Sequence, residues 1–167
     1  MISFRIATEP DLEIVRQIAY ETWPNTYNEV IGEAQVKFML DKMYNKEELL
    51  SQLLAGCIFI IAQRDGKDVG FMSYELTNHS DGIYKLHKLY LLPEAHGGGF
   101  GKIMINVVFK QIKSLGGKKL QLNVNKKNKA LFFYERMGFK IKEAVVLDIG
   151  NGFVMDDYVM EIDLQSA

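Results

Sequence analysis

Cysteine is nearly missing: one, Cys57, in 167 residues. A lone cysteine excludes an intrachain disulfide, and no Cys/His group has the spacing of zinc ligands, so no metal is expected. Proline is also scarce, at three, and no proline-rich linker or low-complexity stretch breaks the chain. Charge of one sign is not in excess either. Twenty Lys+Arg stand against 21 Asp+Glu for a net charge of -1, which speaks against nucleic acid or a membrane surface as partner. The opening "MISFRIATEP" has no apolar signal core, and no run is long enough to span a bilayer. These absences leave a soluble cytoplasmic protein with a single domain over residues 1–167, long enough to bury its own core. Cys57 heads the apolar run "CIFIIAQ", where a buried, inert thiol is expected.

The periodicity then supplies the elements. "SFRIA" reads as a first strand. "TEPDLEIVRQIAYETW" reads as a helix capped by Thr8 with Asp11 and stopped by Pro24. Helices follow over about 33–43 and 46–55. "CIFIIAQ" and "DVGFMSYELT" flank an Asp-Gly turn, and "IYKLHKLYLLP" completes a three-strand meander. Phe100, Ile103, Met104, Val107, Val108, Ile112 and Leu115 recur at helical spacing. "KKLQLNV" is a strand, "NKALFFYERM" a helix ended by Gly138, and the chain closes with two antiparallel strands around "GNG". This order predicts an α+β fold with a mixed, mostly antiparallel sheet of about seven strands flanked by helices. A parallel crossover joins the strand from Ile83 to the strand ending at Val124.

The glycines concentrate at "HGGGFGK", between a strand end and a helix start. Free amides and the helix dipole converge there on an anion, and Gly removes the Cβ atoms that would hold a phosphate off. The nucleotide-hydrolase loop fails, because His96 stands where its first Gly belongs and Ile103 where it needs a hydroxyl. The dinucleotide fingerprint fails too, because its third Gly falls on Lys102 or Met104. A phosphate cradle and a plain flexible connector both fit the residues.

The stretch His96-Gly97-Gly98-Gly99-Phe100-Gly101 resembles the Gln/Arg-x-x-Gly-x-Gly/Ala pyrophosphate loop of the GNAT superfamily of N-acetyltransferases, with His96 replacing Gln or Arg. "LNVNKKNKALFFYERMGFK" is similar to a second signature of that family, and "RIATEPDLEIVRQIA" to its opening. The resemblance implies a sheet split between the fourth and fifth strands and acetyl-CoA as cosubstrate, with no metal. It places backbone groups of Leu89, Leu91 and Leu92 along the pantetheine arm, an amide near Leu91 at the oxyanion, and Gly97, Gly98, Gly99, Phe100, Gly101 and Lys102 at the pyrophosphate, with Asn128 nearby.

The same resemblance implies direct attack by an amine through a tetrahedral intermediate. Tyr134 matches the general acid that protonates the leaving thiolate; packing on an amphipathic helix is the alternative role. Lys85 stands where many relatives carry a Glu base. His87, two residues on and on the same side, has an ordinary pKa suited to the task; Glu75 or a water chain is equally tenable. Lys126, Lys127 and Lys129 form a solvated face or meet phosphates. The acceptor-binding candidates are Trp23, Tyr27, Glu75, Asp156 and Asp157, the two aspartates reading more readily as a charged hairpin edge. The acceptor would be a small amine, polyamine or peptide N-terminus, with a homodimer as a family-level expectation. The competing function is a non-catalytic acyl-CoA-binding sensor on the same fold.

Overall fold

A computed structural model describes residues 1–165. The chain folds as two compact units: Met1–Glu75 with His87–Val108, and Leu76–Leu86 with the chain from Phe109. The strands are β1 Ile2–Ile6, β2 Ile58–Arg64, β3 Lys67–Asn78, β4 Ile83–Leu91, β5 Lys119–Asn125, β6 Lys140–Gly150 and β7 Phe153–Asp163. They pair in the order β1-β2-β3-β4-β5-β7-β6. The helices are α1 Leu12–Ile31, α2 Glu33–Met43, α3 Lys46–Leu54, α4 Phe100–Ser114 and α5 Ala130–Arg136. The mixed seven-strand sheet and its order of elements agree with the sequence reading. No helix among the described residues is long and apolar enough to cross a membrane.

The pairings β1/β2, β2/β3, β5/β7 and β6/β7 are antiparallel. β4 and β5 are parallel, in register from Ile83↔Lys119 to Leu86↔Leu122. β4 runs on to Leu91 and β5 to Asn125, past these last partners.

In the first unit Trp23, Tyr44, Phe59, Phe71 and Met104 are buried. Each such side chain stabilises the fold by roughly 1.5–3 kcal/mol. Gly70 lets β3 approach β4: a Cβ there would sit 2.8 Å from the Tyr90 carbonyl oxygen. In the second unit Ile112, Leu120, Leu122, Phe139 and Met160 form the core.

Two expectations are corrected. α1 does not stop at Pro24 but continues to Ile31, ending at Gly32 with φ 85°. Proline removes one amide donor and crowds the carbonyl four residues back. The helix persists because Trp23, 3% exposed, packs its ring 4.6 Å from Tyr27 on the next turn. The α4 stripe is also displaced. Phe100, Met104, Ile105, Val108 and Ile112 are buried, whereas Ile103 and Leu115 are exposed. The buried row follows the i, i+4 ridge, and Ile105 borders it more closely than Ile103.

Candidate active site

The first unit carries the glycine loop. β4 is pinned at its exit by the Leu92 amide, which donates to the Val69 carbonyl at 2.8 Å. A 3-10 turn over Pro93–Ala95 follows, then His96. Gly97 and Gly99 take φ of 88° and 74°, and a Cβ added at Gly97, Gly98 or Gly99 would meet nothing within 4 Å. The backbone is therefore left-handed at two points and open to one side. The first amide of α4 with a main-chain acceptor is Ile103, which donates to Gly99. The amides of Phe100, Gly101 and Lys102 precede it and have no main-chain acceptor among the described residues, as at any helix start. A diphosphate fits this cradle, because it needs such donors and the room that Gly leaves.

Three residues assigned to this loop by sequence play particular parts. The Phe100 side chain is buried, with its ring 6.3 Å from Phe4, so only its amide is available to a ligand. Lys102 is exposed on the first turn of α4. His96, the departure from Gln or Arg, lies with Nε2 2.8 Å from the Leu91 carbonyl oxygen. A carbonyl only accepts, so the ring donates from Nε2. The loop is thereby tied back to the end of β4, and the Leu91 carbonyl already has a partner. Leu89 and Leu91 are half-buried and Leu92 is buried.

Upstream on β4, His87 Nε2 lies 2.7 Å from Glu75 Oε1 on β3. The carboxylate accepts, so Nε2 carries a proton. Sequence reading named the two as alternative bases, and Glu75 also as an acceptor-binding candidate; the fold joins them. Cys57 lies close by, its sulfur within 4.8 Å of ligand atoms of both. Burial pushes the Cys57 thiol up to about 11, with Glu75 adding to the effect. A neutral thiol follows, in keeping with the inert cysteine expected.

Sequence reading missed Lys88. It is 5% exposed, donates to Gln52 Oε1 at 2.8 Å, and lies over the rings of Tyr44 and Phe59. Burial brings its pKa down to about 8, against the pull of Cys57, Glu48 and Glu75. The signal was present: Tyr84, Leu86, Lys88 and Tyr90 share a strand face by their two-residue period.

The acceptor candidates Trp23 and Tyr27 belong to an aromatic group with Tyr44, Phe71 and Tyr90. Tyr27 and Tyr90 join their hydroxyls at 2.9 Å. Trp23 Nε1, Tyr44 Oη and Ser73 Oγ are buried without a hydrogen-bond partner among the described residues. Such groups are costly to leave unmade, and a polar ligand or water would satisfy them.

The second unit holds the remaining candidates. Tyr134 on α5 is 9% exposed, with its ring 5.6 Å from Phe139 and 5.2 Å from Phe133. Asn128 Oδ1 accepts from the Ala130 amide at 2.9 Å, which anchors the start of α5. Asp156 pairs with Lys126 at 2.8 Å, so one of the three loop lysines is engaged within the protein. Asp157 is 3% exposed, and its Oδ1 has no hydrogen-bond partner among the described residues. Burial raises its pKa to about 6, assisted by Asp156 and opposed by Lys85 and Lys126. Asp157 is thus a buried carboxyl rather than a solvated hairpin edge.

Comparison with known proteins agrees with this geometry. Residues 55–141 match the acetyltransferase (GNAT) domain family. A spermidine N(1)-acetyltransferase of Thermoplasma acidophilum is 27% identical over 161 residues, covering 93% of this chain and 96% of that protein. The crystal structure of the PaiA N-acetyltransferase of the same organism, in complex with coenzyme A, superposes with a TM-score of 0.82 at 27% identity over 98% of this chain and 99% of that one. A GCN5-related N-acetyltransferase from Rhodopseudomonas palustris shares the fold, with a TM-score of 0.80 at 20% identity over 96% and 94% of the two chains. From the open glycine cradle to these matches, every line leads to one assignment: the chain belongs to the GNAT acetyltransferase family.

Proposed function

We propose that this protein is an acetyl-CoA-dependent N-acetyltransferase, a single domain over 1–167 that moves the acetyl group to a primary amine. The acceptor is a small molecule, a polyamine or a peptide N-terminus. One observation carries the reading: Gly97 and Gly99 are left-handed, and beyond their chain neighbours no atom of the described residues lies within 4 Å of a Cβ added at either. Their amides and those opening α4 are the donors for the pyrophosphate, and the β4 backbone from Leu89 to Leu92 is the rail for the pantetheine arm.

His87 is the base in this reading and Glu75 its positioning residue. Nδ1 takes the proton of the attacking ammonium, directly or through water, while Glu75 holds the Nε2 proton. Tyr134 is the acid that returns a proton to the leaving sulfur. A positioned acid or base contributes typically ~10²–10⁴-fold. Asp157, buried and with one oxygen lacking a partner among the described residues, is the acceptor-binding candidate of the second unit, and Trp23 and Tyr27 are those of the first.

The His87–Glu75 pair favours a working enzyme over a sensor that only binds acyl-CoA, because a sensor has no use for an oriented base. No nucleic acid and no membrane partner belong to this reading. The cytoplasm is its place, in keeping with an unpaired cysteine. A homodimer belongs to it as well, supported by exposed Ile141, Val146 and Leu147 on the edge strand β6. The test is incubation with acetyl-CoA and a panel of amines, following free coenzyme A and acetylated product together. Release matched by product supports the enzyme; tight coenzyme A binding with no product from any amine supports the sensor.

A further inference from the structure

Glu75 lies on β3 and His87 on β4, and Cys57 stands immediately before β2, all three in one unit. One ligand-type atom from each, a thiol sulfur, a carboxylate oxygen and an imidazole nitrogen, lies within 4.8 Å of the other two. The Glu75 and His87 side chains are 29% and 27% exposed, whereas Cys57 is buried. The cluster therefore has a sulfur at its floor and an opening to solvent through its other two members. Sequence spacing gave no hint of it, because the three positions meet only through strand pairing.

We propose that Cys57, Glu75 and His87 form a binding site for a thiophilic divalent cation, zinc in the first place, and that its occupation inhibits acetyl transfer. Zinc takes sulfur at ~2.3 Å and imidazole nitrogen or carboxylate oxygen at ~2.0–2.2 Å, in a tetrahedron. Donors at those lengths lie roughly 3.3–3.7 Å apart. Glu75 and His87 at 2.7 Å must part slightly, and the Cys57 sulfur, no more than 4.8 Å from either, must reach that spacing. Three protein donors leave the fourth position to water. Lys88 lies near Cys57 and Glu75, so a cation held by charge alone is disfavoured. A thiolate bond overcomes that repulsion, which selects zinc, cobalt or cadmium over magnesium and calcium.

The step balances simply. The Cys57 S–H bond breaks, its proton goes to water, and a metal–sulfur bond forms. A neutral imidazole has one lone pair, and the metal takes it at whichever ring nitrogen coordinates. None is then left for an attacking ammonium. Inhibition thus rests on His87 as the base; metal binding itself does not.

The test uses the whole protein in a thiol-free reductant, titrated with cobalt(II) alone. The expected result is a near-ultraviolet thiolate-to-cobalt charge-transfer band that saturates at one equivalent and is displaced by zinc. Cys57→Ser should abolish the band, and His87→Gln should weaken binding by at least ~100-fold. Circular dichroism confirms that both variants fold. Acetylated amine, measured by mass spectrometry, should fall away at one equivalent of zinc and return with a chelator. No charge-transfer band, or a band unchanged in Cys57→Ser, overturns the site. A band with turnover untouched overturns the inhibition and, with it, His87 as base.

Discussion

His87 Nε2 and Glu75 Oε1 stand 2.7 Å apart across neighbouring strands. The carboxylate accepts the Nε2 proton and so orients the ring, which makes Glu75 a positioning residue for His87. His87→Gln should lower kcat ~10²–10⁴-fold. Glu75→Gln should lower it less, by about 10-fold, since the amide keeps an acceptor at the same place but loses its charge. The double variant should be no slower than His87→Gln alone, because residues that act as a unit do not add. Steady-state kinetics of the three variants settles this; additive losses would separate the two residues.

The His96–Leu91 link ties the glycine loop to the end of β4. One such hydrogen bond contributes about 0.5–1.5 kcal/mol net. His96→Ala should therefore raise KM for acetyl-CoA by about 2–10-fold with kcat near normal, and His96→Gln, which keeps a donor, should recover part of it. An unchanged KM in His96→Ala would show that the loop holds its shape without the link.

Gly97, Gly98 and Gly99 are adjacent but not equivalent. Only Gly97 and Gly99 have left-handed backbone. Gly99→Ala should cost about 1–2 kcal/mol of stability from that strain and weaken coenzyme A binding as the amides turn away. Gly98→Ala, with ordinary φ and open space at its Cβ, should leave the melting temperature unchanged. Thermal unfolding and calorimetry of both variants check the contrast.

Asp157 should make the fold less stable at higher pH. Its folded pKa, about 6, lies above the ordinary value of 3.8. The folded chain therefore binds the proton more tightly than the unfolded one. Below pH ~4 both states are protonated and there is no penalty. Between about 4 and 6 the unfolded state ionises first and stability falls; above that range the penalty is complete. Asp157→Asn should gain about 1–3 kcal/mol at pH ~8 and little at pH ~4. Urea unfolding at the two pH values measures it, and an equal effect at both would contradict the buried carboxyl.

The glycine loop was legible in sequence because backbone demands leave their mark in residue type, as Gly97 and Gly99 do. The order of elements along the chain was legible through turns and period. Pro24 misled because its local preference was outweighed by burial of Trp23, which no local pattern reports. Lys88 was readable from the face it shares with Leu86, yet its charge suggested a surface. Asp157 read as a hairpin edge because β7 pairs on both sides, with β5 and β6, and a strand's neighbours are not written in its own residues. Cys57 had the same obstacle: its company with Glu75 and His87 exists only across strands.

The central claim is acetyl transfer to an amine by a chain that grips coenzyme A at its glycine loop. Its most direct test is single-turnover incubation of the protein with acetyl-CoA and each amine of a panel, in wild type and Tyr134→Phe, with acetylated amine and coenzyme A both quantified. Equal amounts of the two products are expected with at least one amine, with ~10²–10⁴-fold slower formation in Tyr134→Phe at unchanged acetyl-CoA affinity. Bound coenzyme A with no acetylated amine from the wild type, or equal rates in the two proteins, would contradict it.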